Sequence, residues 1–566
     1  DNVEAIMQVA GGYGNSVYTG AARVRLGNFF YWQGKAELKG SNFFLRAYTT
    51  QERSGESYDI GFVGLGLNRA GKSDQQWFED YALAFRGAAI GLGVAAFDHN
   101  FAREFADGNL SNNFSANQLN FFGITSGVRN NLGRLTPGSP DFNRVKNDLV
   151  NTPISQGGAL FFDESNLYHT EGMYNFNKII NPNTVELIVG GHYRMIQLNS
   201  RGTVFDDAER RLNISEVGGY IQATKKVFND KLKLTASARY DKNQNFEGRF
   251  TPRVAAVYSL GNARQHNIRI SYQTAFRNPT VQDQYLNLTV GGFVRVVGGL
   301  PEFIERNNLN NNVVRADAQS IGNYLQLLNT QGAVAARTNG TYRFNQFRPE
   351  FVNSYELGYK GLINNKLFID TYVYYNQYSN FIGTLNFIAP NAGQDITTVQ
   401  FNPADASPVI GTFQLFQVPV NLANLNSYGW GLGVDYNLPG GFTIGGNISH
   451  NKLLDAPSNF RTQFNTPEYR TNVSFGNRNI KGTSLGFNVV WRWQETFTWQ
   501  STFGDGVIPA YHTLDAQISY RLKDLKSIAK IGGTNLLNQF YTQSFGNPQI
   551  GALYYVSITF DQVFNK

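Results

Sequence analysis

The chain has 566 residues and a net charge of +7, and 16% of its residues are charged, against about 25% in soluble domains. Aromatic residues make up 14% of the chain, and 58 residues are glycine. The apolar content can bury a large surface, which excludes a disordered chain, and no run reaches the ~18 apolar residues of a membrane-spanning helix. The composition favours an all-β protein.

The 49 Lys and Arg residues are scattered without a basic run, so the sequence predicts no nucleic-acid partner. Cysteine is absent, which excludes thiolate metal sites and thiol redox chemistry. The first residues, Asp1–Glu4, lack the basic and apolar segments of an export signal. We infer that a signal peptide has been removed or that the chain is an internal fragment.

The tract 52–164 is the longest part of the chain without regular alternation of apolar and polar residues. Within it, Trp77–Phe85 and Asn143–Leu149 have the character of short helices or loop rather than strand, and Pro137–Pro140 has that of a loop. The sequence predicts a large extracellular loop region here, with room for one further hairpin.

Most of the remaining chain alternates strictly between apolar and polar residues, which predicts β-strands. In Lys231–Asp241, for example, Leu232 and Leu234 lie on one face, and Lys233 and Thr235 lie on the other. The same pattern occurs in 430–437, 485–494, 513–522 and 553–561. These segments run to about ten residues, which is the length of a tilted strand that crosses a bilayer.

The connections between these segments alternate between short and long. Short links occur at 228–230, 260–266, 361–366, 438–440, 478–482 and 523–525. The longest links are 278–350 and 380–426, and others are 455–468, 497–511 and 538–551. Short periplasmic turns and long extracellular loops are typical of outer-membrane barrels. The sequence therefore predicts an all-β, antiparallel transmembrane β-barrel that occupies residues 1–566 as one unit.

Inward-facing polar residues of the strands are the candidate ligand contacts. Six of them fall on polar strand faces: Arg194, Arg239, Arg253, Arg269, Glu356 and Arg492. They could contact a ligand or a plug in the lumen, or they could only balance the charge of the lumen wall. The tracts 286–345 and 383–422 are rich in Asn, Gln, Phe and Tyr, which suits saccharide or peptide contact and equally suits a well-packed loop.

Several strings resemble catalytic motifs without their structural context. Gly66–Ser73 matches GxxxxGK(S/T), but no βαβ unit surrounds it, so we predict a glycine-rich turn. Gly482–Gly486 matches GxSxG, but we predict a turn and the start of a strand. Asp206 and Asp207 are expected to be solvated in a loop. The six histidines show no close ligand spacing. The sequence predicts no enzyme activity, no metal site and no cofactor.

Five segments, in this order and spacing, resemble TonB-dependent outer-membrane receptors. They are ARYD at 238–241, TPRV at 251–254, SYQTAFRNPT at 271–280, PE at 349–350 with SYELGY at 354–359, and GGTNLLN at 532–538 followed by Tyr541 and 551–560. The stretch 46–58, and GALF at 158–161 leading to Leu167–His169, resemble receptors from the Bacteroidetes side of the family.

The resemblance implies a barrel of about 22 strands in the outer membrane of a Gram-negative cell. It implies active import of a bulky nutrient, of the siderophore, glycan or peptide class, with energy from the TonB–ExbB–ExbD system. A surface lipoprotein of the SusD type is a further implied partner, beside the lipid bilayer and lipopolysaccharide. The family also has an N-terminal plug and a TonB box, and neither is found in this sequence.

The missing plug leaves a second hypothesis open. The chain could be a passive outer-membrane channel, or a structural barrel subunit of a larger outer-membrane assembly. The sequence does not identify the substrate.

Overall fold

The computed structural model describes residues 3–19, 23–87, 98–108, 134–290, 294–422, 424–454, 456, 461–501 and 504–560. The strands in these residues are β1 (Glu4–Thr19), β2 (Arg23–Lys39), β3 (Phe43–Arg53), β4 (Tyr58–Asp59), β5 (Asn166–Asn175), β6 (Glu186–Leu198), β7 (Leu212–Val227), β8 (Leu232–Asn243), β9 (Arg249–Leu260), β10 (His266–Arg277), β11 (Asn287–Val290), β12 (Val294–Val297), β13 (Val314–Arg315), β14 (Glu350–Ile363), β15 (Leu367–Ser379), β16 (Ile382–Pro390), β17 (Phe413–Asn421), β18 (Leu425–Asn437), β19 (Phe442–Leu454), β20 (Tyr469–Asn477), β21 (Leu485–Gln494), β22 (Phe497–Ser501), β23 (Gly504–Ile508), β24 (Tyr511–Leu522), β25 (Ser527–Thr534) and β26 (Leu553–Phe560). The helices are α1 (Ile60–Gly71), α2 (Asp74–Gly87), α3 (His99–Ala106), α4 (Pro140–Asn151), α5 (Val281–Tyr285), α6 (Pro301–Arg306), α7 (Ala318–Gln331) and α8 (Ala333–Gly340).

One antiparallel sheet of 19 strands, which we call the wall, forms most of the molecule. Its long strands are β1–β3, β5–β10, β14, β15, β18–β21 and β24–β26, each paired with the next in chain order, and β4 pairs beside β2. In the described part of the chain the sheet has fewer strands than the expected 22. The short strands β11–β13, β16, β17, β22 and β23 lie in the loops and pair outside the wall. Among the described residues no pairing joins the two edge strands, β1 and β26.

The two faces of the wall differ in polarity, as the alternation predicts. On one face, which we call the outer face, Leu234 is 42% exposed, Ile270 59% and Val556 75%. A continuous face of exposed apolar side chains would be unfavourable in water, so the outer face is suited to lipid. The opposite, inner face carries the polar residues of the same strands.

The links between the long strands are sorted to the two ends of the wall. One end of the wall, which we call the turn end, carries short links such as 228–231 and 364–366. The other end, which we call the loop end, carries the long links 54–165, 278–349 and 380–424. Strand bounds agree closely with the sequence prediction, since β21 spans the predicted 485–494 and β24 ends at the predicted Leu522. No helix in the described ranges is long and apolar enough to cross a membrane.

The loops 278–349 and 380–424 fold together into a compact layer over the loop end. We call this layer the cap and define it as the described residues of 199–211, 244–248, 278–349 and 380–422. A five-stranded sheet, in the order β11-β12-β17-β16-β13, forms its centre. Phe303, Phe387 and Val418 are fully buried in one apolar core that joins all four segments. The large apolar core of this chain therefore lies in its loops.

An ion cluster fastens the segment 199–211 to the rest of the cap. Asp206 accepts hydrogen bonds from Arg306 at 2.8 and 3.1 Å, from Arg210 at 3.0 Å and from Asn287 at 3.0 Å. Asp207 accepts from Ser200 Oγ at 2.7 Å. The expectation that the aspartates are solvated was wrong for Asp206, which is 13% exposed and is enclosed by Arg306 and Asn287 from another loop. Among the described residues, Asp207 is bonded only within its own segment, to Ser200 and Gly202.

The tract 54–165 is largely helical where it is described. Of the two alternatives predicted for Trp77–Phe85 and Asn143–Leu149, helix or loop, the structure shows helix, in α2 and α4. No hairpin occurs in the described part of this tract, and 88–97 and 109–133 lie outside it. The predicted turn at Gly66–Ser73 was wrong, since α1 continues to Gly71. Asp59 caps this helix by accepting from the Phe62 N–H at 3.0 Å, and Phe62 packs with Ile154.

Candidate functional site

Three adjacent wall strands bring a charged cluster together on the inner face, near the loop end. We call it the inner-face cluster: His192 and Arg194 on β6, Glu216 on β7, and Arg239 and Asp241 on β8. The register places Gly218 opposite both His192 and Asp241. A Cβ atom at Gly218 would collide with both side chains. The glycine therefore leaves the space in which the two side chains converge.

Charge-assisted hydrogen bonds hold the inner-face cluster. Arg239 donates to both oxygens of Asp241, at 2.7 and 2.6 Å, and Arg194 donates to Glu216 at 2.9 Å. Asn278, at the start of the cap, donates to the second oxygen of Glu216 at 2.9 Å. Asp241 is 3% exposed, so its charge depends on this pairing. The bond from Asn278 ties the wall to the cap.

His192, Glu216 and Asp241 also meet a geometric condition for a metal site, since one ligand atom of each lies within 4.8 Å of the others. The hydrogen bonds do not fit this use. Arg239 lies 3.0 Å from His192 Nδ1, and an arginine can only donate, so Nδ1 accepts and the neutral ring carries its proton on Nε2. A metal ion binds Nε2 through the lone pair of this nitrogen, and in this tautomer a proton occupies it. The cluster is thus better described as a charge network.

A cavity of about 600 Å³ separates the inner-face cluster from the cap. We call it the cap cavity. Arg194, Glu216, Arg239 and Asp241 line one side, and the cap segment 278–284 lines the other. Within the cap, Asn245 donates to Gln284 at 2.6 Å and so links two of its segments. The arrangement can bind a polar or charged ligand between a fixed wall and a folded cap.

A second cavity, of about 540 Å³, is lined by residues of β20, β21 and β24. Arg492 and its partner Asp515 line it together with the amides of Asn465 and Asn535. Aromatic rings line it as well: Trp499, and Tyr511 stacked on Tyr541 with ring centroids 4.2 Å apart. Amides beside aromatic rings suit a neutral hydroxylated ligand.

The structure brings the six predicted residues together only in part. Arg194 and Arg239 lie in the cap cavity, and Arg269 pairs at 3.0 Å with both Glu356 and Asp370 on neighbouring strands. Arg492 lies in the second cavity, and Arg253 is exposed on β9 and lines neither cavity.

The sequence prediction missed four residues of the site: His192, Glu216, Asp241 and Asn278. The polarity of His192, Glu216 and Asp241 on inward strand positions was a visible signal, since polar residues two apart lie on one face. Their meeting was not visible, because the register between strands depends on turn geometry.

The motif-like strings have structural roles. Lys72, in the GxxxxGKS string, pairs with Asp80 at 2.6 Å and donates to the Ala106 carbonyl at 2.7 Å. The GxSxG string forms a turn, with Gly482 at a φ of +82°, and the start of β21 at Leu485, as predicted. Neither string presents the strand and helix that its chemistry requires.

Comparison with known proteins decides the family. The model of the family described as "TonB dependent receptor-like, beta-barrel" matches residues 11–536. The chain belongs to this family. TonB-dependent receptors are outer-membrane transporters, so the wall of this receptor-like chain is a membrane-spanning β-barrel with its apolar outer face toward lipid. The family carries out transport and not covalent chemistry.

Solved structures of receptors share the fold at low sequence identity. The ferric enterobactin receptor PfeA of Pseudomonas aeruginosa has a TM-score of 0.52 at 12% identity, over 98% of this chain and 67% of that one. The FrpB iron transporter of Neisseria meningitidis has a TM-score of 0.51 at 11% identity, over 98% and 69%. The siderophore receptor PirA of Acinetobacter baumannii has a TM-score of 0.50 at 11% identity, over 95% of this chain. The chain spans 62% of the length of PirA. A search of curated protein sequences found no match.

Proposed function

We propose that this chain forms the barrel and cap of a TonB-dependent transporter that imports a bulky polar nutrient across the outer membrane. The observation that carries the proposal is the cap cavity, where the inner-face cluster faces a folded cap. A polar ligand that enters between the extracellular loops meets fixed charges there before it reaches the barrel interior. The solved relatives named for siderophores and iron support a nutrient of that kind, and the amides and aromatic rings of the second cavity support a glycan or peptide.

Energy for import would come from the TonB–ExbB–ExbD system acting through a plug domain. The loop end is then extracellular and the turn end periplasmic. The Bacteroidetes-type segments support a surface lipoprotein of the SusD type as the partner of the cap. The alternative, a passive channel or a structural barrel, requires no plug and no energy.

The test is growth of a strain that lacks this gene, supplied at limiting concentration with iron chelates, glycans or peptides in turn. The gene as it occurs in the genome is returned to the strain with or without a functional TonB. We expect growth on one nutrient to need both the gene and TonB. Growth that needs the gene and is indifferent to TonB would support the passive channel instead.

Substitution of Arg194 by Gln tests the site itself. The change removes a charged donor that is 41% exposed to the cap cavity, and a hydrogen bond to a charged group contributes about 1.5–3 kcal/mol. We expect uptake at limiting nutrient to fall about tenfold, since 1.36 kcal/mol corresponds to a factor of ten. Arg253→Gln, outside both cavities, is the matched control and should leave uptake unchanged. Equal uptake by the two variants would contradict a role of the cap cavity in binding.

A further inference from the structure

The outer face of the wall carries an apolar groove that transport does not explain. It has a volume of about 770 Å³ and crosses β7, β8, β9, β10, β14 and β15. This volume lies in the range of about 300–1,000 Å³ that is usual for small-molecule sites. The groove faces away from the cap cavity and opens on the side of the wall that faces lipid.

Two neighbouring rows of side chains, one residue from each of the six strands, line the groove. The first row is Lys225, Leu234, Ala256, Ile270, Leu357 and Val373, and the second row is Ala223, Ala236, Val254, Tyr272, Tyr355 and Tyr375. Five strand spacings of about 4.8 Å make each row about 24 Å long. Small alanines form the floor at the β7 end, and bulky side chains flank the groove toward β15.

The only charged side chain that points outward in these rows is Lys225. It lies two residues before the turn end of β7, opposite Leu234, and it is exposed. An ammonium group near the edge of the hydrocarbon layer extends toward the headgroups, where phosphate is its natural partner. The groove therefore combines an apolar channel of acyl-chain length with a cation at one end.

We propose that the groove binds one fatty acyl chain of an anionic phospholipid whose phosphate pairs with Lys225. The oblique course of the rows fits a chain that descends through one leaflet, because strands of such barrels tilt by about 35–45° from the membrane normal. Half of the ~30 Å hydrocarbon layer is about 15 Å, so a slanted row of this length accommodates one chain. The proposal depends on the membrane placement of the wall and is independent of the transported nutrient.

The test is quantitative lipid analysis of the full protein, purified in detergent with extensive washing. We expect about one phospholipid per chain in the wild type. Ala236→Phe and Ala256→Phe fill the floor of the groove and should lower the retained lipid at least fivefold. Ala529→Phe makes the same change on the outer face of β25, away from the groove, and should retain it. Lys225→Gln should keep a lipid but abolish the preference for anionic over zwitterionic headgroups when both are offered.

Folding of each variant is checked by heat-modifiable migration, which an outward-facing phenylalanine should leave intact. Equal lipid retention by the filled and control variants would overturn the proposal. Absence of lipid from the wild type would also overturn it. A dimer that Ala236→Phe disrupts would assign the groove to a second copy of the chain and overturn the lipid assignment.

Discussion

Replacing Phe387 by alanine is expected to unfold the cap while leaving the wall intact. Phe387 is fully buried, and its ring lies 4.9 Å from that of Tyr342 and 5.1 Å from that of Phe344. Removal of a buried phenylalanine side chain typically costs about 3–5 kcal/mol, because the surrounding residues close the cavity only partly. That is a large fraction of the stability of a layer of this size.

Limited proteolysis of the protein in outer-membrane vesicles measures this effect. We expect the cap of Phe387→Ala to be cut much faster than that of the wild type, with heat-modifiable migration of the wall unchanged. Val334→Ala, at a position that is 82% exposed on α8, is the control and should resemble the wild type. Equal protease resistance of Phe387→Ala and the wild type would show that the loops do not share one core.

Replacing Asp206 by asparagine is expected to loosen the cap by about 2 kcal/mol. The change removes the charge from a carboxylate that accepts from Arg210, Arg306 and Asn287. Hydrogen bonds to charged groups contribute about 1.5–3 kcal/mol, and the arginines are 44% and 49% exposed, which reduces the ion-pair part. Asp141→Asn, at a carboxylate that is 74% exposed on α4, is the control.

The carboxylate of Asp206 also makes the stability of the cap depend on pH. Burial acts to raise the pKa of Asp206, but the hydrogen bond and charge of Arg306, with Asn287 and Arg210, outweigh burial and hold the pKa below its usual range. Its contribution is therefore complete above the unfolded-state pKa of about 3.9 and is lost as the pH falls through the lowered folded-state pKa. Proteolysis of the wild-type cap should accelerate in that acid range, and Asp206→Asn should abolish this acceleration. An unchanged acid dependence in the variant would exclude Asp206 as its source.

The wall could be predicted from the sequence to a large extent, and the cap could not. The alternation of apolar and polar residues is a local property of the chain, so it located strands such as β21. The lengths of the links between strands showed which end of the wall carries the long loops. The cap depends on contacts between segments far apart in the sequence, such as Phe303 with Phe387 in one core. The helix over Gly66–Gly71 was missed because glycine content favoured a turn, whereas the Asp59 cap and the packing of Phe62 determine the structure.

The candidate site could be predicted only as a set of inward charges. The polar strand face identified Arg194 and Arg239, but their partners Glu216 and Asp241 follow from the register of β6, β7 and β8. The space for these side chains depends on a single residue, Gly218, whose importance no local pattern shows. The role of the six predicted residues in binding stays a prediction, and the uptake experiment tests it for Arg194.

Closure of the wall through β1 and β26 is the central claim, because a transporter needs a sealed barrel. The chain has no cysteine, so no native thiol can form a disulfide with the engineered cysteines. Opposite residues on paired antiparallel strands have Cα atoms about 4.5–5.5 Å apart, within the range of about 4.4–6.8 Å that a disulfide spans. Val9→Cys on β1 is combined in turn with Tyr554→Cys, Val556→Cys and Ile558→Cys on β26, which samples the register.

Disulfide formation in the outer membrane of intact cells is the deciding measurement. Ile531→Cys with Val556→Cys, which are paired on β25 and β26, is the positive control, and Val9→Cys with Ile518→Cys on β24 is the negative control. We expect one of the three β1–β26 pairs to cross-link as efficiently as the positive control. If the positive control cross-links and none of the three pairs does, the wall does not close between these strands and the account of a sealed transporter barrel is contradicted.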